Sequence, residues 1–366
     1  MINYDNLSNC WVEINTKNIL ENKHAVESHL HKGCKICCVV KADAYGHGAI
    51  EVAKLLEKDG VDYFGVANIL EAISLRENGI KTPIIILGHT NPCGASVLAK
   101  YDLAQTIYSY EYAEQLSNNL KNDEHIKVHI KINSGMNRLG FKPNDISFKE
   151  ILKISSNQKF DIEGIFTHFY DADNNQEHTE KQFETFLSFV NGLEDAGLKF
   201  AIKHCCNSAA AINYPNMQLD MVRIGASLYG IKVSYGVCVK EAMSLKAFVS
   251  QISNIAKGEI VSYGARFKAD KDMKVATITA GYADGILRSN RNTLTVTING
   301  VACKVLGTIC MDQLVVDVSN VECGVDDIAT IYGVGGLSIN DVATNNSTIA
   351  YEIMCDVGKR VKRIYK

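Results

Sequence analysis

The chain has 366 residues, with 38 Lys+Arg against 41 Asp+Glu and a formal net charge of −3. The length suits one large domain or two ordinary ones, and 46% hydrophobic against 22% charged residues excludes a disordered chain. The balanced charge gives no footprint for nucleic acid or an anionic membrane, and no apolar run reaches the ~18 residues of a membrane span. The start, Met1-Ile2-Asn3-Tyr4-Asp5, lacks the basic and apolar stretches of a signal peptide. A cytoplasmic protein with no nucleic-acid or membrane partner is expected. Twelve cysteines are scattered along it, two pairs being adjacent (Cys37-Cys38 and Cys205-Cys206), which is a poor disulfide framework. Cys34-x-x-Cys37 lacks a second such pair, so reduced cysteines used as small core residues are expected, and no metal.

Eight short apolar runs recur over residues 36–40, 63–67, 84–87, 104–108, 128–132, 164–169, 201–205 and 221–226. They have the texture of strands buried on both faces. The intervals read as helices. In 48–60, Val52, Leu55 and Leu56 share a face, and in 68–79 Asn68 can cap the start and Gly79 the end. From Thr179, a capping box with Gln182 leads into Phe183, Phe186, Leu187 and Val190 at i, i+3, i+4, i+7. Eight strand–helix alternations predict an α/β N-terminal (β/α)8 TIM-type barrel over residues 1–238, a doubly wound sheet being the other arrangement that fits. The first ten or so residues are expected to pack on the C-terminal domain.

After about Val239 the texture changes. Residues 275–279 alternate, and Asn299-Gly300 joins the apolar runs 294–298 and 301–306 as a hairpin. With 314–318 as a further strand, residues 239–366 read as a second, mainly β domain.

The first barrel strand ends in Val39-Val40-Lys41-Ala42-Asp43-Ala44-Tyr45-Gly46-His47-Gly48. A lysine at the C-terminal end of a barrel strand stands where such folds place reactive groups, and an apolar approach lowers an amine pKa. By itself it also reads as a surface lysine. The string resembles the pyridoxal-phosphate lysine motif of the alanine racemase family. Seven more strings follow in that family's order: Lys131-Ile-Asn-Ser-Gly-Met-Asn-Arg138-Leu-Gly140, Phe166-Thr-His168-Phe, His204-x-x-Asn207-Ser208, Val222-Arg223-Ile-Gly225-Ala226, Ser262-Tyr263-Gly-Ala, Gly281-Tyr282-Ala-Asp-Gly285 and Cys310-Met311-Asp312-Gln313. They span nearly the whole chain.

The resemblance implies an amino acid racemase interconverting L- and D-alanine for cell-wall peptidoglycan. Lys41 would hold pyridoxal 5'-phosphate as a Schiff base, and Tyr45, Ser208, Gly225 and Ala226, with Asn207 and His168 nearby, would bind that cofactor. Arg223 would face its pyridine nitrogen. An arginine only donates, so that nitrogen stays unprotonated and the ring is a weaker electron sink. Inversion requires an acid/base on each face. Lys41 would serve one face and Tyr263 of the partner subunit the other, helped by His168 and Arg223. Arg138, Met311, Asp312 and Tyr282 would receive the substrate. The implied assembly is a homodimer with shared active sites. Lys131 matches a lysine often carbamylated in the family, a change that would turn a cation beside Arg138 into an anion.

Two departures stand out. Asn133 replaces the family's usual Asp, and Lys359-Arg360-Val361-Lys362-Arg363 replaces a Tyr-Arg-Val-Pro-Arg pattern. With Lys359 at the tyrosine's place, a serine racemase or a broader-specificity racemase is the alternative. A non-catalytic cofactor-binding barrel would lack the second domain, and a decarboxylase on this plan would lack Tyr263 and Arg223.

Overall fold

The computed structural model describes residues 8–234, 236–291 and 293–366. After β1 (Cys10–Ile14), the apolar runs form β2 (Lys35–Val39), β3 (Tyr63–Val66), β4 (Ile84–Ile86), β5 (Leu103–Ile107), β6 (Ile126–Lys131), β7 (Phe160–Phe166), β8 (Ile202–His204) and β9 (Met221–Ile224). These last eight pair in parallel in the order β8-β7-β6-β5-β4-β3-β2-β9. Hydrogen bonds from Asp220 N to Lys203 O and from Arg223 N to Cys206 O, each 3.0 Å, bring β9 back to β8 and close the barrel.

Side-chain alternation gives each strand two environments. Ile36, Cys38, Val128, Ile130, Val222 and Ile224 belong to the main core beneath the surrounding helices. Cys37, Tyr63, Ile85, Ala104, Phe166, Ile202 and Met221 form a separate apolar cluster inside the barrel. Two residues beyond Phe166, Ile202 and Met221 stand His168, His204 and Arg223, and Lys131 ends β6 two residues after His129. The period-2 pattern that hides apolar residues in the lower barrel thus lifts charged and polar ones to its C-terminal mouth.

Asn68 caps the helix Ile69–Glu77 by accepting from Glu71 N at 3.1 Å, and Gly79 lies just beyond its end at φ +91°. The longest helix, Gln176–Asp195, starts one turn earlier than the Thr179-x-x-Gln182 box implies. Its cap is Asn175, whose extended backbone lets its side chain accept from His178 N at 3.0 Å. Thr179 Oγ1 instead donates back to Asn175 O, as hydroxyls inside helices do. Gln182 accepts from Tyr170 N and donates to His168 O, so it braces the segment that carries His168.

The β domain comprises β10 (Met243–Ile255), β11 (Ile260–Val261), β12 (Phe267–Lys268), β13 (Met273–Ile278), β14 (Thr295–Ile298), β15 (Val301–Leu306), β16 (Leu314–Asp317), β17 (Ile328–Gly333) and β18 (Lys362–Tyr365). Asn299 and Gly300, at φ +49° and +80°, make the two-residue turn between β14 and β15. Strands β13-β16-β15-β14-β17-β10 form a ring, closed by β10 pairing back to β13. Strand β1 extends this sheet antiparallel to β10, and β18 runs parallel beside β1. The expectation for the first ten residues falls largely on 1–7, which lie outside the described residues. All twelve cysteines are free thiols; six are buried, while Cys93, Cys238 and Cys355 are exposed.

One buried side chain ties the helix Thr16–Glu27 to the crossing between the domains. Asn22 donates to Leu228 O and Lys240 O at 3.1 and 2.8 Å and accepts from Lys240 N at 2.8 Å. Asn22→Leu leaves three backbone groups without this partner, one of them buried and two part-buried, and an unfolding loss of about 1–3 kcal/mol is expected. Urea unfolding checks it: the midpoint should fall while the slope stays constant.

Candidate active site

Lys41 follows β2 directly and opens a turn of unusual hand. Ala42, Asp43, Ala44 and Tyr45 all have φ between +51° and +54°. Left-handed helical backbone costs an L-residue roughly 1–2 kcal/mol, so four in a row persist only under strong external constraint. Glu71 supplies one constraint, its two carboxylate oxygens accepting from Ala42 N at 2.8 Å and Ala67 N at 2.7 Å. Asp43 Oδ1 accepts from Ala49 N at 2.7 Å. The β domain supplies the rest: Arg363 Nε donates to Gly46 O and Tyr365 Oη to His47 O, each at 3.1 Å. Glu71 escaped sequence reading because Asn68-x-x-Glu71 looks like an ordinary capping box.

The turn borders a cavity of about 750 Å³ at the barrel mouth, whose wall includes Lys41, Lys131, Arg138 and Arg223 but, among the described residues, only one carboxylate, Asp173. Arg223 is fully enclosed. Its guanidinium donates to His204 Nδ1 at 2.7 Å, Thr167 O at 2.8 Å, Cys205 O at 3.1 Å and His168 Nδ1 at 3.2 Å. Lys131 is 7% exposed and lies 4.6 Å above the Phe166 ring. Burial, then Arg223 and Arg138, push its amine well below the ordinary lysine range. Lys41 is lowered by burial and Arg138, with Glu71 opposing. His168 is lowered strongly by burial and the same cations, so it stays neutral near pH 7.

Beside this turn, the Gly225 amide donates to Ser208 Oγ at 2.9 Å. A Cβ on Gly225 would stand 2.8 Å from Tyr45 Oη, so only glycine leaves this cradle open. Ala226 lies beside it. Asn207 lines the cavity too, but its side-chain oxygen is spent capping the helix Ser208–Asn213 through Ala210 N. Asn133, at the family's Asp position, accepts from Gly135 N and Asn137 N and donates to Asn137 Oδ1, so the neutral side chain still holds its loop.

Four sequence-chosen residues are not in this subunit's cavity. Tyr263, Met311 and Tyr282 are 72%, 52% and 41% exposed. They and Asp312 sit together on one face of the β domain. Thr308 Oγ1 donates to Tyr263 O, and the amides of Tyr282 and Ala283 donate to Cys310 O and Met311 O. A Cβ on Gly281 would overlap those two carbonyls, so glycine is required there. Arg360 joins Asp284 to Asp312 with contacts of 2.7 Å to each.

Lys359 is corrected by the structure: it is exposed and absent from the cavity wall. The helix Ala350–Cys355 presents Tyr351 and Cys355 to the cavity from one face, i and i+4, while Lys359 follows in the turn towards β18. The Tyr351 ring stands 5.8 Å from that of Tyr45. Aligning the departure at 359 hid the tyrosine eight residues earlier.

An eight-stranded barrel with a turn-held lysine at its first strand, facing a cation-rich cavity, and with a β domain clamped onto that turn defines a two-domain barrel enzyme. The model of the alanine racemase N-terminal domain matches residues 14–233, and that of the alanine racemase C-terminal domain matches 242–365. The chain belongs to the alanine racemase family. It is 40% identical to alanine racemase 1 of Oceanobacillus iheyensis over 97% of both chains, and 39% identical to the alanine racemase of Methanococcus maripaludis over 97% of this chain and 98% of that one. Among solved structures, the alanine racemase of Clostridium difficile 630 superposes with a TM-score of 0.95 at 40% identity, covering 98% of this chain and 96% of that one. The Bacillus anthracis alanine racemase with bound L-Ala-P gives 0.93 at 31% identity, covering 98% and 95%. No helix among the described residues is long and apolar enough to cross a membrane.

The electrostatics of Lys131 make a prediction with a definite sign. A folded chain that binds fewer protons at this lysine than the unfolded chain loses stability as pH falls below the unfolded pKa of about 10.4. In carbon-dioxide-free buffer, Lys131→Met is therefore expected to be more stable than the parent at pH 7, with the gap narrowing towards pH 10. Urea unfolding at both pH values checks this; a gap independent of pH would contradict it.

Proposed function

We propose that this chain interconverts L-alanine and D-alanine with pyridoxal 5'-phosphate as its cofactor. The D-alanine would supply cell-wall peptidoglycan, and the enzyme would act in the cytoplasm. On this reading residues 1–238 form the barrel domain and 239–366 the domain that supplies the second base. The observation that carries it is the cavity wall: among the described residues, two arginines and two amines of suppressed charge, Lys41 and Lys131, stand against one carboxylate. That donor set suits a phosphate and an amino acid carboxylate. The cofactor fits it, since the Gly225 cradle, which a Cβ would fill against Tyr45 Oη, leaves room for a phosphate beside the Ser208 hydroxyl and the Ala226 backbone. When bound, the cofactor supplies the electron sink that makes an amino acid's α-proton removable.

The remaining work falls to this chain's residues. The Tyr45 hydroxyl, pushed up by burial, stays protonated and donates to phosphate. Arg223, locked by its four contacts, presents only donors to the ring nitrogen. Arg138 holds the substrate carboxylate, with Met311, Asp312 and Tyr282 of the partner subunit closing over it. Lys41 Nζ takes or returns the α-proton on one face, because burial and the neighbouring arginines keep it from holding a proton permanently. On the other face stands Tyr263 of the partner subunit. His168 accepts from Arg223 at Nδ1, so its remaining proton sits on Nε2, free to steady a phenolate. A neutral Lys131 can add carbon dioxide, and the resulting carbamate would give Arg138 the opposite charge that the wall lacks.

The display of Tyr263, Tyr282, Met311 and Asp312 on one exposed face supports a homodimer in which each β domain completes the other subunit's cavity. The serine alternative leaned on Lys359. With that residue outside the wall and Tyr351 within it, the support goes to alanine.

Chiral analysis of product from L-alanine and, separately, from L-serine tests the reading. D-alanine is expected to form faster than D-serine. Tyr263→Phe should slow it by about 10²–10⁴-fold, the usual weight of a positioned acid/base, and Lys41→Ala should abolish it. Absence of D-product from either amino acid, or D-serine as the faster product, would overturn it.

A further inference from the structure

Beneath Arg223 a line of polar groups descends from the buried His204 and His129 to the half-buried Glu163, and nothing in the proposed reaction uses its lower half. His204 Nε2 lies 3.0 Å from His129 Nδ1, and His129 Nε2 lies 2.9 Å from Glu163 Oε2. Glu163 Oε1 accepts from Tyr63 Oη at 3.1 Å.

The direction of every bond in this line is fixed by its two ends. Arginine has only donors, so His204 Nδ1 must accept and its proton sits on Nε2. His129 Nδ1 must accept that proton in turn, which places the His129 proton on Nε2. There it meets a carboxylate, an acceptor only. Although burial opposes it, the hydrogen bonds from His129 and Tyr63 hold the Glu163 carboxyl below its ordinary range, so the lower end remains an anion.

The backbone is shaped for this line. In the pairing of β6 with β7, Val128 faces Ile162 and His129 faces Gly164, so Glu163 is the extra residue of a bulge. Strict alternation from Phe166 and Gly164 would turn Glu163 outward; the bulge turns it into the barrel. A Cβ on Gly164 would overlap the His129 ring, so the glycine gives that ring its place.

We propose that Glu163 is a positioning residue for Arg223, acting through His129 and His204 to fix both ring tautomers so that the guanidinium always meets an acceptor. Without the carboxylate, His129 can turn its proton to Nδ1. His204 then carries a proton on Nδ1 as well, two donors face each other, and Arg223 leaves its aim. The effect on turnover rests on the function proposed above, whereas the tautomers do not.

Nitrogen-15 spectra of histidine-labelled protein, prepared without cofactor, read the tautomers directly. In the parent chain, His129 and His204 should both carry the proton on Nε2. Glu163→Leu should populate Nδ1–H at both rings. Tyr63→Phe should leave them unchanged, and Glu163→Gln, whose carbonyl can accept from His129 while its amide donates to Tyr63, should stay close to the parent. If Glu163→Leu fails to fold, the parent, Gln and Phe spectra still decide. In turnover of L-alanine, Glu163→Leu should lower kcat roughly tenfold with KM within about twofold, and the Gln variant should recover most of it. An Nδ1 proton on either ring of the parent, or unchanged tautomers in Glu163→Leu, would overturn the proposal. A protein that shows the expected tautomers yet racemises no alanine would overturn the proposed function and leave this one standing.

Discussion

A guanidinium buried in a barrel without a counter-ion sets the terms for everything around it. Among the described residues, no carboxylate pairs with Arg223; it is held by two carbonyls and two histidine nitrogens instead. Those neutral acceptors satisfy its donors but leave its charge uncompensated, and that charge acts on every titratable group nearby. It helps to drive the protons off Lys131, His168 and His204. Removing the charge from an isolated buried cation is what low-dielectric surroundings favour, and arginine alone among these groups does not yield its proton. The cavity is thereby a place where neutral amines and imidazoles coexist with a permanent cation, which is suited to drawing in anions and moving protons.

The second constraint is mechanical. Four consecutive left-handed residues after Lys41 do not hold themselves, and part of their support comes from the final strand of the other domain, through Arg363 and Tyr365. The β domain is therefore more than a carrier for Tyr263. It anchors the lysine of its own subunit from one face while displaying Tyr263, Tyr282 and Met311 from another. Strain at the turn and exposure on the outer face belong to one domain, and on the proposed function neither domain would make a finished site alone.

Much of this was legible because barrel strands advertise themselves. A run such as Ile36-Cys37-Cys38-Val39-Val40 is apolar at every position because both of its faces are covered, and Asn299-Gly300 has one favoured conformation. Five of the eight ordered motifs contain residues that line the cavity, and the other three lie on the β domain. What stayed hidden depended on single-residue shifts. Asn175 out-competes Thr179 as a cap because it reaches the extended conformation one turn earlier. Tyr351 and Lys359 are eight residues apart, yet only the helix Ala350–Cys355 decides which of them sees the cavity. Glu163 looks like an outward strand residue until a bulge reverses it. Periodicity reports the average register of an element and says nothing of such local offsets.

The central claim is that each active site takes Lys41 from one subunit and Tyr263 from the other, and pairing two inactive chains tests it most directly. Lys41→Ala and Tyr263→Phe chains, each inactive alone, are produced together in one cell in equal amounts. Random pairing makes half of the dimers mixed, and in each of those one site regains both native residues, so about a quarter of the parent activity is predicted. Recovery of none, with mixed dimers demonstrably present, would mean that Lys41 and Tyr263 serve the same subunit or do not act together.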